Sequence, residues 1–197
     1  MESAAPYYGR MMRFLGPLLA LFLVAPAYAA DPPAVKTTAE IADELYSRLA
    51  KTADEDEAAG IVTALEAMAL RSNSDTDDLL MSRAQAALAA DDDALAQSLL
   101  DTVVAVDPDW AEGWNARATA RFHAGDLEGS AADIAETLKR NPRHIGALAG
   151  LAVIFAEAGQ RDNALKVYDR ALALAPAYKP LVEPAEKLRR ALAGQAL

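Results

Sequence analysis

The chain of 197 residues contains no cysteine. Disulfides, thiolate metal sites and cysteine nucleophiles are excluded together. So is the acylated cysteine that a bacterial lipoprotein needs at its processed N-terminus. Aromatic residues make up only 6%, so a core must come from small aliphatic side chains, many of them alanine. Alanine loses no side-chain entropy in a helix, so this composition favours helix over strand. Histidines are two, His123 and His144, too far apart for an i, i+4 ligand pair, so no metal is expected. Basic residues are outnumbered 19 to 29, a net charge of −10. The tight basic groups are Lys139-Arg140 with Arg143 nearby, and Arg189-Arg190. Such a surface repels phosphate, and no nucleic-acid partner is expected. No G-x-S-x-G, phosphate loop or dinucleotide fingerprint occurs, so neither enzyme chemistry nor a cofactor is expected.

What is present begins with an address. Arg10 and Arg13 precede an apolar run from Phe14 to Val24, followed by Ala25-Pro26-Ala27-Tyr28-Ala29-Ala30. A basic start, a short apolar stretch and an A-x-A end describe a secretory signal peptide, with cleavage expected after Ala29. The run is shorter than the roughly 20 residues that span a bilayer, and Pro17 interrupts it, which counts against an uncleaved anchor. Translation from Met11 or Met12 instead of Met1 would give a more usual leader length. Residues 1–29 are therefore expected to be removed, with 30–36 a linker. The longest later apolar run, Ile145 to Ala156, ends at Glu157 and reads as a buried helix. No stable membrane insertion is expected after cleavage.

The remainder repeats. Pro108, Pro142 and Pro176 stand 34 residues apart. The same step relates Leu80, Trp114 and Leu148; Ala84, Ala118 and Ala152; and Asp91, Gly125 and Gly159. It also relates Ala96, Ser130 and Ala164; Leu100, Ile134 and Tyr168; and Val103, Thr137 and Ala171. Small residues at Ala84, Ala118 and Ala152 allow two helices to approach closely. Gly125 and Gly159 suit a turn with positive φ, and the prolines fall where a helix must stop. In the third copy Leu148, Leu151, Ala152 and Phe155 share one helical face.

This pattern resembles the tetratricopeptide repeat (TPR), W-x2-L-G-x2-Y, then A-x3-F, then P. The third copy, 145–178, matches it well through Leu148, Leu151, Ala152, Phe155, Ala164, Tyr168 and Pro176. The second, 111–144, departs by placing Arg117 and Arg121 where Leu and Tyr are usual. The first, 77–110, carries Asp91 in its turn where the others carry Gly. Residues 37–76 read as a degenerate N-terminal helical repeat opened by a Thr37-x-x-Glu40 capping box. Residues 179–197 read as a C-terminal capping helix. The resemblance implies an all-α, right-handed superhelical solenoid of antiparallel helix pairs that binds a protein or peptide in its concave groove. The residues it would place there are Met81, Gln85, Asn115, Thr119, Phe122, Gly146, Ala149 and Val153. A Lys/Asn/Arg clamp for acidic C-terminal tails, used by some chaperone-binding members, is not present. The small residues Gly146, Ala149 and Gly150 leave room for a helix or strand close to the backbone.

Other candidate chemistry is weighed against helix-end roles. Asp54-Glu55-Asp56-Glu57 and Asp91-Asp92-Asp93 fall where second helices begin, and carboxylates there cap free N–H groups. Asn73-x-Asp75-x-Asp77 opens like a calcium loop, but Asp78 and Ala84 stand where Gly and Glu are required. Arg83, Arg117 and Arg121 have two readings. They form a polar network between helices with Asp101 and Asp133, or they present cations that grip a carboxylate at the groove. The expected function is a non-catalytic binding scaffold, exported and periplasmic. Self-association into an envelope assembly is the alternative, and a small-molecule or enzyme site on the arginines is a third reading.

Overall fold

The computed structural model describes residues 36–194; the expected signal peptide and linker lie outside them, save Lys36. Nine helices and no strand occur among the described residues. They are α1 (Thr38–Leu49), α2 (Glu55–Ala69), α3 (Asp75–Ala89), α4 (Asp93–Val106) and α5 (Ala111–His123). Then come α6 (Leu127–Arg140), α7 (Ile145–Glu157), α8 (Arg161–Leu174) and α9 (Lys179–Ala193). No helix among them is long and apolar enough to cross a membrane.

The helix ends follow from local chemistry. Thr37 and Glu40 form a reciprocal capping box on α1. Asp54, Ser74, Asp92 and Asp126 each accept a backbone N–H three residues on, opening α2, α3, α4 and α6. The acidic clusters thus supply caps, each worth about 1 kcal/mol. Gly125 and Gly159 have φ of 80° and 73° between the helices of a pair. Asp91 holds the same turn in the first copy at φ 56°, a left-handed conformation that costs a non-glycine residue energy.

Packing builds a solenoid from α3 to α9. Helices pair as α3–α4, α5–α6 and α7–α8, and each pair meets the next through α4–α5, α6–α7 and α8–α9. Ala84, Ala118 and Ala152, at most 2% exposed, let the paired helices close up. Gly113 lets α5 lie against α4: a Cβ there would stand 2.9 Å from Val103 Cγ1.

The N-terminal pair behaves differently. The helices expected over 37–76 form, yet α2 makes no comparable approach to α3. The α1–α2 hairpin instead lies across the starts of α5, α7 and α9. One buried cluster joins its Leu49, Ile61, Val62 and Leu65 to Leu148 and Ala152 of α7, Tyr168 of α8 and Leu181 of α9. Polar contacts set its position. The Trp110 indole N–H donates to the Ala69 carbonyl at 2.9 Å, holding the end of α2 to the start of α5. The Tyr46 hydroxyl donates to the Arg143 carbonyl at 3.1 Å, and the Arg143 guanidinium stacks 4.2 Å from the Tyr46 ring centre while donating to Asp43. Stacking in sequence order is replaced by docking on a later repeat, where the apolar residues of the hairpin meet those of α7 and α9.

Two expected outcomes follow. Leu49→Ala removes a fully buried side chain of the hairpin seam and lowers stability by about 3 kcal/mol in denaturant unfolding. Asp91→Gly relieves the left-handed strain and raises stability by about 1 kcal/mol; no rise in the unfolding midpoint would refute that account of the turn.

Candidate functional site

The first helices α5 and α7, backed by α6, enclose a cavity of about 230 Å³. Its wall is mostly apolar: Ala118, Phe122, Ile134, Val153 and Ile154, with Asn115, Thr119, His123 and Ser130 supplying polar atoms. Gly146 and Gly150 form part of the floor, and Gly150 leaves Ile134 Cδ1 only 3.4 Å from where a Cβ would sit. A larger residue at 150 would crowd Ile134 in the cavity wall, whereas a Cβ at 146 would meet the His144 ring at 3.5 Å.

Of the residues expected at the groove, Asn115, Thr119, Phe122, Gly146 and Val153 line this cavity. Ala149 packs against the hairpin core instead. Gln85 is exposed on α3, outside the cavity lining. Met81 does not face the groove. It is 2% exposed and packs with Leu100, Val103 and Ala120 between the first and second repeats. Its long, flexible side chain reaches into the seam between α3 and α5, where Ala116 and Ala120 leave a gap. His123, Ser130 and Ile134 were not expected at the groove. Ser130 and Ile134 come from α6, and only the spacing between α5 and α7 brings the second helix into view.

The groove is already partly filled by the chain itself. Gly146 borders both the open cavity and a second, smaller recess beneath Tyr46, Val62, Leu65 and Glu66 of the hairpin. The room that Gly146 and Ala149 leave at the start of α7 is thus used by α1 and α2. At this border His144 is buried, 5% exposed, and caps α7 by accepting the Ala147 N–H on Nδ1 at 3.1 Å. Its Nε2 meets Glu112 Oε2 at 2.9 Å, tying the start of α7 to that of α5. Glu66 lies beside them, and its carboxyl is pushed up by partial burial and by the Glu112 carboxylate, with His144 opposing. Burial likewise pushes up the Tyr46 hydroxyl.

The arginines occupy the opposite, interior side of α5. Arg117 donates to both oxygens of Asp133, at 2.9 and 2.8 Å, and to Asp101 at 2.9 Å. Arg121 pairs with Asp133 at 2.8 Å and donates to the Gly129 carbonyl. The Asp133 side chain is 3% exposed and that of Arg117 13%. Hydrogen bonding to Asp133 raises the already high pKa of Arg117. Trp114 lies between the guanidinium groups of Arg117 and Arg140, 5.0 and 4.7 Å from its ring centre. Arg117 and Arg121 are therefore committed to bridging α4, α5 and α6. Arg83, one repeat earlier in Arg117's column, is exposed and outside this network. The Asp77 carboxyl is buried with Oδ1 unpartnered among the described residues, and nothing in the structure explains it. No group of three acids or histidines positioned to hold a metal occurs among the described residues.

An all-α solenoid of paired helices with a lined concave face defines the class. No family model matches the chain. It is 37% identical over 152 residues to a TPR repeat-containing protein of Rhizobium etli, covering 77% of this chain and 74% of that one. The chain belongs to the TPR repeat-containing proteins. Solved structures share the fold at lower identity. The first TPR of Spaghetti (RPAP3) bound to the HSP90 peptide SRMEEVD has a TM-score of 0.58 at 19% identity, covering 61% of this chain and 96% of that one. The Sgt2 TPR domain from Aspergillus fumigatus gives 0.57 at 19%, covering 62% and 83%. YrrB, a TPR protein with an unusual peptide-binding site, gives 0.53 at 17%, covering 74% and 69%.

Asp133 is the shared acid of two cations, so its loss leaves both without their partner. Asp133→Ala is expected to cost about 3 kcal/mol in chemical unfolding. Replacing Arg117 and Arg121 with methionine in that background should recover much of the loss. A neutral Asp133→Ala would mean that the network is not structural.

Proposed function

We propose that this chain is a non-catalytic scaffold that holds a short apolar segment of another protein in the cavity between α5 and α7. The cavity carries the reading: about 230 Å³ accommodates one or two apolar side chains and is below the roughly 300 Å³ at which small-molecule pockets begin. The Thr119 and Ser130 hydroxyls already donate to the Asn115 and Ala118 carbonyls and one Asn115 amide N–H to Glu112, so what remains for the backbone of such a segment is the second Asn115 amide N–H and the side-chain oxygens of Asn115 and Thr119. Fold neighbours support peptide binding as the mode: structures carry an HSP90 peptide, SRMEEVD, and an HSP70 peptide, SGPTIEEVD. Those ligands are acidic. This groove offers Asn115, Thr119 and Val153, while Arg117 and Arg121 are held by Asp133. Its partner is therefore a neutral, apolar segment, not an acidic tail. The hairpin on one flank limits the segment to the part of the groove left open.

The compartment belongs to the same proposal. The basic start, apolar run and Ala27-Tyr28-Ala29 support export, and the lack of cysteine suits a bacterial periplasm. Sequencing the N-terminus of the protein in an osmotic-shock fraction should return Ala30. Recovery of the uncleaved chain with membranes would overturn export as a mature soluble protein.

The binding test uses pull-down from envelope extract with the processed protein. A partner retained by the wild type should be lost from Val153→Glu, which puts a charge into the cavity wall while helicity by circular dichroism is unchanged. An Arg121→Lys variant, altered on the far side of α5, should retain it. Equal capture by both variants would place the contact outside the cavity.

A further inference from the structure

The 34-residue step identifies an interface column whose first member meets no neighbouring repeat among the described residues. In the second repeat Gly113, Arg117 and Ala120 face the preceding repeat. Gly113 lies against Val103 and Val104, Arg117 reaches Asp101, and Ala120 joins the Met81 cluster. In the third, Ala147 and Ile154 of the same column are 1% and 6% exposed. The corresponding residues of the first repeat are Leu79, Arg83 and Ala86, and all are exposed, Leu79 at 57%. Beside them on α4 stand Leu95 at 49%, Val106 at 57% and the half-buried Leu99. Two adjacent stripes result, one per helix, with helical spacing. They are exposed because the α1–α2 hairpin, which sequence order would stack there, docks elsewhere. Arg83 also differs from Arg117 in its surroundings: the Asp133 column holds Leu99 in this repeat. A desolvated Arg83 must then find its acid on whatever covers it.

We propose that a second copy of this chain covers this face, α3–α4 against α3–α4, in a two-fold dimer. The two ends of the solenoid decide between closed and open association. The outer side of α9 is charged, with Lys179–Glu183 and Arg190–Glu186 pairs exposed on it. Among the described residues it offers no apolar complement to Leu79 and Leu95, so head-to-tail stacking has no matching surface there. The α3–α4 face matches itself. Its apolar stripes can meet their own copies, and it carries both signs of charge: Arg83 on α3, and Asp92 beside Leu95 on the rim of the same depression. A two-fold axis near Ala86 turns Arg83 of each copy toward the acidic Asp91-Asp92-Asp93 turn of the other. Such an isologous contact closes and does not propagate. It removes from water the exposed apolar end that a terminal repeat cannot leave uncovered without loss of solubility.

Sedimentation velocity on the purified full chain tests this at about 0.15 M salt, where surface charges act over only about 8 Å. The wild type should sediment as a dimer, and Leu79→Glu/Leu95→Glu as a monomer of unchanged helicity. Arg83→Glu should weaken the dimer by about tenfold or more, since it sets two acidic groups opposite one another. Val153→Glu, in the cavity, should leave the dimer intact, which separates this contact from groove binding. A wild type that stays monomeric to about 100 μM, a concentration at which a dimer with a Kd of about 100 μM would already be substantially formed, would overturn the proposal. So would a dimer that survives the Leu79/Leu95 change. A dimer lost only on Val153→Glu would show the second copy in the groove, which also overturns it.

Discussion

A helix pair of this chain has more apolar surface than its two helices can hide from each other, so each pair depends on a neighbour. Alanines at 84, 118 and 152 bring the paired helices together, but small side chains leave flanking faces uncovered. The second and third repeats resolve this by stacking. The seam between α3 and α5 takes Met81, and Gly113 lets α5 against Val103 of α4. The last pair is closed by α9 through Leu181 and Ala185. Stability in such an array is a sum of intrinsic and nearest-neighbour terms, so wherever a neighbour is missing the molecule must find another.

The α1–α2 hairpin shows what that requirement does to the groove. By covering the starts of α5, α7 and α9 it joins the largest buried cluster. It uses the room that Gly146 and Ala149 provide near the backbone. An open TPR groove would present the whole concave face; this one presents the part beyond Gly146, where Phe122 and Val153 remain accessible. The same packing choice leaves one face of α3 and α4 exposed among the described residues at the other end. One docking event thus narrows the groove and creates the apolar end face.

The arginines illustrate how a polar substitution can be absorbed inside a repeat. Where the repeat pattern has Leu and Tyr, Arg117 and Arg121 converge on Asp133, with Asp101 and the faces of Trp114 completing the shell. A charge cluster this enclosed holds only if each member is paired. It therefore ties three helices in one register, and it withdraws the two cations from ligand recognition.

The sequence by itself determined whatever depends on neighbours within a few turns of chain. Helix starts followed from Thr37, Asp54 and Asp92 as caps, turns from Gly125 and Gly159, and the repeat from columns such as Leu80, Trp114 and Leu148. Each is a local rule of backbone geometry or hydrogen bonding. The candidate site was partly legible for the same reason: Asn115, Thr119, Phe122, Gly146 and Val153 follow from helical phase once the repeat is known. Phase could not tell that Met81 turns into a seam or that Ser130 and Ile134 show through from α6. Nor could it tell that α1–α2 docks on a repeat 80 or more residues later. Only the tertiary structure decided those. They depend on which of several similar apolar faces bury the most area together, a small difference between large terms that no single stretch of sequence carries.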